Sequence, residues 1–183
     1  MSAPTPGLPA NARLRESVLE AQTAALAAPL AQDPGAQQPL LCFRCAGERF
    51  AVPAQDVQRV FEARPVRRVP HRDRPAFRGL VADEGELLLV GSLERLLDLG
   101  PATPPPSPGA RMIVVGPEHH GWAFQVDLVD GVIRVAATDL VPAPTTLRRG
   151  LGTATRLLAR IEGEQAAVLH TESLLHGWEG SAA

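Results

Sequence analysis

The chain has 183 residues, 45% of them hydrophobic and 21% charged, which is enough for one sizeable core or two small ones. A formal net charge of -2 leaves no strong field to draw it toward nucleic acid or an anionic membrane. Its two cysteines cannot form a disulfide framework, and no apolar run reaches the roughly 18 residues a membrane helix needs, so a cytoplasmic address is expected.

Met1 to Pro9 is rich in proline and small residues. Asn11 is placed to cap a helix over 12–28, with Leu14, Val18, Ala21 and Ala25 along one face. Pro29 stops it, and Asp33-Pro34-Gly35 is a turn signal. Residues 1–38 therefore read as a flexible extension carrying a helix. The segment is either a loosely attached tail or a helix that docks on this domain or a partner.

From Leu40 the apolar period shortens to two. Leu41, Phe43 and Cys45 alternate with Cys42, Arg44 and Ala46, then Gly47-Glu48 turns the chain into a strand over 49–52. Further strands are predicted at 59–62, 78–83 and 86–90, the last two joined by a Glu84-Gly85 turn. Ser92 caps a short helix through Leu97 that buries Leu93, Leu96 and Leu97. Five prolines between Pro101 and Pro108 forbid regular structure there and mark an exposed loop. Strands follow at 112–115, 122–126, 129–135, 157–161 and 165–169, and Thr171 caps a last helical turn. Ten short strands with a proline-rich midpoint predict a mainly β fold of two small barrels. Their expected halves are about 39–100 and 110–178.

No catalytic constellation is visible. Cys42-Phe43-Arg44-Cys45 spells C-x-x-C, but in a strand residues three apart face opposite ways, and no second pair exists to complete a zinc site. His119 and His120 sit on a hairpin tip, where adjacent side chains diverge. His71, His170 and His176 have no evident nucleophile and acidic orienter. Gly150-Leu151-Gly152 lacks the following helix that phosphate binding needs. The expectation is no enzyme, no cofactor and no metal. Arg64, Arg67, Arg68, Arg72, Arg74 and Arg78 form the densest charge run. It is either a solvated connection or a surface for an anionic partner, and a protein partner is favoured over nucleic acid because only Phe77 offers a ring for base stacking.

The order of these motifs resembles the CheW-like domain family over residues 39–178. Phe50-Ala51-Val52-Pro53 closes a hairpin like the family's first pair of strands. Val57-Gln58-Arg59-Val60 stands where the family has V-x-E-[IV], and Val69-Pro70-His71 matches its V-P turn. Gly79-Leu80-Val81-Ala82-Asp83-Glu84-Gly85 takes the place of G-[VIL]-x-N-[LI]-R-G. Val126-Asp127-Leu128-Val129 resembles V-D-x-V, and Leu140-Val141-Pro142-Ala143-Pro144 resembles I-x-P-x-P. The resemblance implies two five-stranded β-barrels with short helical turns and an apolar groove between them. It also implies a non-enzymatic adaptor that couples the tips of chemoreceptors to the regulatory domain of a CheA-type histidine kinase. Such an adaptor would sit in the cytoplasm beside the receptor array, without inserting in the membrane. The partner-binding candidates are Val57, Arg59, Val60, Leu80, Glu84, Leu88, Val126, Asp127 and Val129. The chain departs from the family at two of them: Arg59 replaces an acid and Glu84 an arginine. The reversed signs predict an Arg59–Glu84 pair and an altered partner code. The run 85–93 is more like a Wsp-type accessory adaptor than a motility one. The alternative class is an Arg-rich small β-barrel that binds nucleic acid.

Overall fold

The computed structural model describes residues 37–70, 76–100, 108–118, 120–144 and 154–182. The predicted helix 12–28, most of the proline-rich loop, His71, Arg72, Arg74, His119 and Gly150-Leu151-Gly152 lie outside these residues. The strands are β1 (Gln37–Cys45), β2 (Glu48–Pro53), β3 (Val57–Glu62), β4 (Phe77–Asp83), β5 (Glu86–Gly91), β6 (Arg111–Val115), β7 (Trp122–Val126), β8 (Leu128–Ala136), β9 (Leu140–Pro142), β10 (Thr155–Ile161) and β11 (Glu164–Leu169). Helix α1 is Leu93–Leu96 and helix α2 is Thr171–Ala182.

Three hairpins share one turn chemistry. Both central residues take positive φ at Ala46-Gly47 (52° and 81°), Glu84-Gly85 (48° and 85°) and Glu162-Gly163 (54° and 86°). A two-residue turn of this hand matches the twist of the flanking strands and wants glycine second. The first turn therefore falls one residue earlier than Gly47-Glu48, so that Gly47 can fill that second place. Ser92 caps α1 as expected, its hydroxyl accepting from the Arg95 N–H at 3.3 Å. Thr171 does not cap α2: it is the helix's first residue, and its hydroxyl donates to Asp56 at 2.8 Å. The helix also runs well past Leu175, to 12 residues.

The strands form two sheets, one of six in the order β8-β1-β2-β11-β10-β9 and one of five in the order β3-β6-β7-β5-β4. The mainly β reading with two subdomains holds, but one sheet has six strands because β9 adds a short edge. Nor do the sheets follow the chain halves 39–100 and 110–178. The first hairpin, β1–β2, joins the C-terminal strands through the parallel pairing of β2 with β11, and β5 pairs in parallel with β7. The two sequence halves thus exchange strands, and 34–183 is one compact unit.

This exchange makes three cores. Leu40, Cys42, Ala51, Ala159 and Val168 fill the concave side of the six-stranded sheet. Val81, Leu88, Val90, Met112, Val114 and Ala123 fill that of the five-stranded sheet. The largest cluster lies between the sheets, where Phe43, Phe50, Ile113, Trp122 and Phe124 meet Leu93, Leu174 and Trp178 from the two helices and Leu97 just after the first. Trp178 is fully buried, stacked on Trp122 with ring centres 5.9 Å apart and tilted against Phe124 at 5.5 Å.

Trp178 fits only because strand β5 ends in glycine. A Cβ at Gly91 would lie 2.5 Å from the indole ring, and at Gly177 one would strike Leu96 at 2.5 Å. At Gly180 an added methyl meets nothing within 4 Å. Gly91→Ala is expected to cost about 1–3 kcal/mol by overpacking, read as a lower midpoint in urea unfolding. Gly180→Ala should be neutral or slightly stabilising, through helix propensity. Equal losses in the two variants would contradict the packing account.

Candidate partner-binding surface

In β4 the inward phase of the alternation is Gly79, Val81 and Asp83, so the strand delivers a carboxylate to a position only 3% exposed. Arg59 on β3 answers it, with Nε 3.1 Å from Asp83 and Nη2 2.8 Å from Glu86. Arg64 reaches the other Asp83 oxygen at 3.0 Å, with its guanidinium 5.6 Å from the Phe61 ring centre. β3 and β4 are the two edges of their sheet, so these pairs close it into a barrel. The backbone closes it too: Arg67 and Leu80 exchange two hydrogen bonds of 2.8 Å. The hydrogen bond to Glu86 is the main influence raising the Arg59 pKa above its usual value, against the opposing effect of burial.

The expected Arg59–Glu84 pair does not form. Glu84 occupies the left-handed first position of its turn and is exposed. Asp83 and Glu86 on either side of it are directly opposite each other in the ladder and present their carboxylates to Arg59. The acids that meet Arg59 are instead the strand residues beside the turn.

The six-stranded sheet has a matching corner at its own Glu-Gly-Glu turn. Arg49, with a side chain only 7% exposed, sits 3.1 Å from Asp130 and 3.4 Å from both Glu162 and Glu164. Its Nη1 also donates to the Ile161 carbonyl at 3.2 Å. Arg44 adds a 3.1 Å pair with Glu164. Burial opposes the charge on Arg49, but the surrounding carboxylates outweigh it and raise the pKa. Nothing in the sequence singled out Arg49, because its partners come from three strands distant in the chain.

The candidates separate into surface and interior. Val60 is 38% exposed, Glu84 is exposed, and Val57, Leu80 and Val129 are half-buried. Leu88 and Val126 are core residues, 8% and 1% exposed, and no partner can reach them. Strand alternation sends Leu88 into the five-stranded barrel, while Val126 enters the cluster between the sheets. The expected groove between the barrels is at this level filled by aromatic packing. Asp127 is tied inward as well, its carboxylate accepting from the Ala46 N–H at 2.9 Å across the first hairpin turn. Sequence reading missed the exposed apolar residues Leu87 (71%), Val132 (59%) and Val141 (49%). Outward phase on strands β5, β8 and β9 could have found them.

The C-x-x-C pair divides as strand geometry requires. Cys42 points into the six-stranded barrel and Cys45 into the cluster between the sheets. Both thiols are free and buried. Burial pushes the Cys42 pKa up to about 11 and raises that of Cys45 too. His170, contrary to expectation, does have a serine beside it: Nδ1 lies 3.0 Å from Ser173 Oγ. The two residues span one turn at the start of α2, and Glu172, 3.9 Å from His170 Nε2, is 81% exposed and free to swing in solvent. This is a local link at a helix start. Among the described residues no three His, Cys, Asp or Glu converge as metal ligands, and no helix is long and apolar enough to cross a membrane.

The fold, with its two strand-exchanged barrels, has known counterparts. A sequence model of the CheW-like domain matches residues 39–178, and the chain belongs to that family. The structure is similar to that of the scaffolding protein TtCheW from Thermoanaerobacter tengcongensis, with a TM-score of 0.64 at 18% identity over 74% of this chain and 90% of that one. At that identity the likeness speaks for the fold. No curated protein matches the sequence significantly.

Two outcomes test this site description. Asp83→Ala leaves Arg59 and Arg64 facing each other without their carboxylate. It should cost about 2 kcal/mol, a figure reduced because both guanidinium groups retain solvent. Glu84→Ala should stay within about 0.5 kcal/mol. Urea unfolding of the two variants decides, and a larger loss at Glu84 would restore the pairing first expected. Separately, a thiol reagent at pH 8 should label Cys42 and Cys45 at the rate of unfolding, since both are buried and protonated. Rapid labelling of the native protein would refute their placement.

Proposed function

We propose that this protein is a non-enzymatic adaptor that couples chemoreceptor tips to a CheA-type histidine kinase on the cytoplasmic side of a bacterial chemosensory array. The observation that carries the reading is the family match across residues 39–178, on a fold whose shared features are scaffold and surface. The structural likeness to TtCheW, a scaffolding protein, supports it. The contact surface we assign comprises Val57, Arg59, Val60, Leu80, Glu84, Asp127 and Val129, with Leu88 and Val126 supporting it from the interior. The outward Glu84 and the carboxylate-held Arg59 reverse the charges the family usually presents, and like charges across an interface reject the wrong partner. A Wsp-type accessory role fits that altered code.

The test is co-purification of the full chain with the CheA-type kinase and the receptor of its own organism. Both should be retained. Val60→Asp, a surface change, should weaken kinase or receptor capture at least tenfold, while Val141→Asp on β9 should not. Failure to retain either protein would defeat the assignment.

A further inference from the structure

Four of the arginines described above are committed to carboxylates: Arg44, Arg49, Arg59 and Arg64. Three others on the edge of the five-stranded sheet are not. Arg67, Arg68 and Arg78 are all exposed, and among the described residues none of them meets a carboxylate. Their backbones are fixed closely together. Arg67 and Leu80 exchange two 2.8 Å hydrogen bonds. Gly79, next to Arg78 and at φ 137°, lies so close beneath this crossing that a Cβ would fall 2.1 Å from the Arg67 carbonyl oxygen and 3.1 Å from the Arg68 Cα. Only glycine permits that approach. The nearby buried acid, Asp83, is already shared by Arg59 and Arg64.

We propose that Arg67, Arg68 and Arg78 form a preorganised cationic edge that docks an acidic protein segment. Fixed backbones reduce the entropy lost on binding, and guanidinium forks suit paired carboxylates. Nucleic acid fits less well. The neighbouring Phe77 is buried, and Phe61 lies against Arg64, so among the described residues no exposed aromatic ring beside the edge is free to stack a base. The overall charge of -2 gives no general attraction for polyanions, so binding has to come from a local cluster such as this one. The proposal names the chemistry of one surface and does not rest on the kinase-coupling reading.

The experiment uses the full chain with labelled poly-L-glutamate, and separately with single-stranded oligo-dT of similar charge, followed by fluorescence anisotropy at low salt. Poly-L-glutamate should bind. The triple variant Arg67→Gln, Arg68→Gln, Arg78→Gln should weaken that binding about tenfold, as loss of three exposed charge contacts predicts. A control triple, Arg134→Gln, Arg156→Gln, Arg160→Gln, changes three exposed arginines of the other sheet and should leave it within twofold. Thermal melting of the first triple should match the parent, because these side chains hold nothing together. Equal losses in both triples, a lowered melting temperature in the first, tighter binding of oligo-dT than of poly-L-glutamate, or no binding of poly-L-glutamate would each overturn the proposal.

Discussion

The structure depends on strands that are buried on both faces. β1, β2, β6 and β7 each send alternate side chains into a barrel interior and into the cluster between the sheets. Leu40 and Cys42 face one way, Leu41, Phe43 and Cys45 the other. Met112 and Val114 oppose Ile113 and Val115. Such strands leave almost no room for polar residues, which is why Leu40-Leu41-Cys42-Phe43 and Met112-Ile113-Val114-Val115 read as continuous apolar runs. The exchange of hairpins follows from the same constraint. A barrel built from one half alone would leave the second face of its strands in water. Parallel pairing of β2 with β11 and of β5 with β7 brings strands of both halves into each sheet and buries those faces together.

With the interior so occupied, charge is used for closure at the margins. Each barrel has a Glu-Gly-Glu turn, and each turn is gripped by an arginine from another part of its sheet: Arg59 at Glu86 and Arg49 at Glu162 and Glu164. An exposed ion pair contributes little, but Asp83 and Arg49 are largely withdrawn from solvent, where an unpaired charge costs several times more. In the five-stranded sheet the Arg59–Asp83 pair therefore joins the edge strands β3 and β4, which share no full ladder of backbone hydrogen bonds, while the Arg49 cluster ties β2 to β8 and to the β10–β11 turn.

Much of this was legible in the sequence. Period-two alternation placed most strands within a residue or two, and the turns at Glu84-Gly85 and Glu162-Gly163 announced themselves through glycine after a polar residue. Motif order gave the family. What escaped has a common cause. The pairing of sheets is a long-range property: nothing local in Phe50-Ala51-Val52 says that Ala167 and Val168 lie beside it. The same limit hid Arg49, whose partners are Asp130, Glu162 and Glu164. The choice of Glu84 as the partner of Arg59 failed for a different reason. It followed the family motif position by position, whereas the strand phase of β4 already placed Asp83 inward, where a charge requires a partner. Alternation was the better guide there. It also separates Leu87 from Leu88, adjacent leucines of which one is 71% exposed and the other 8%.

Two-faced burial also decides where any partner can bind. The strands richest in apolar residues are sealed, and the seam between the barrels is plugged by Trp178 and its aromatic neighbours. Contact must therefore be made at strand edges, turns and outer faces. Those are the places where Glu84 stands exposed at its turn and where Arg67, Arg68 and Arg78 line the neighbouring edge. Substitution there leaves all three cores untouched, so partner choice can change without loss of the fold. A change at Val126 or Phe124 has no such freedom, because each belongs to the cluster that holds both sheets. The cores and the exposed charges thus occupy different parts of the fold, and a surface charge can change without disturbing the packing.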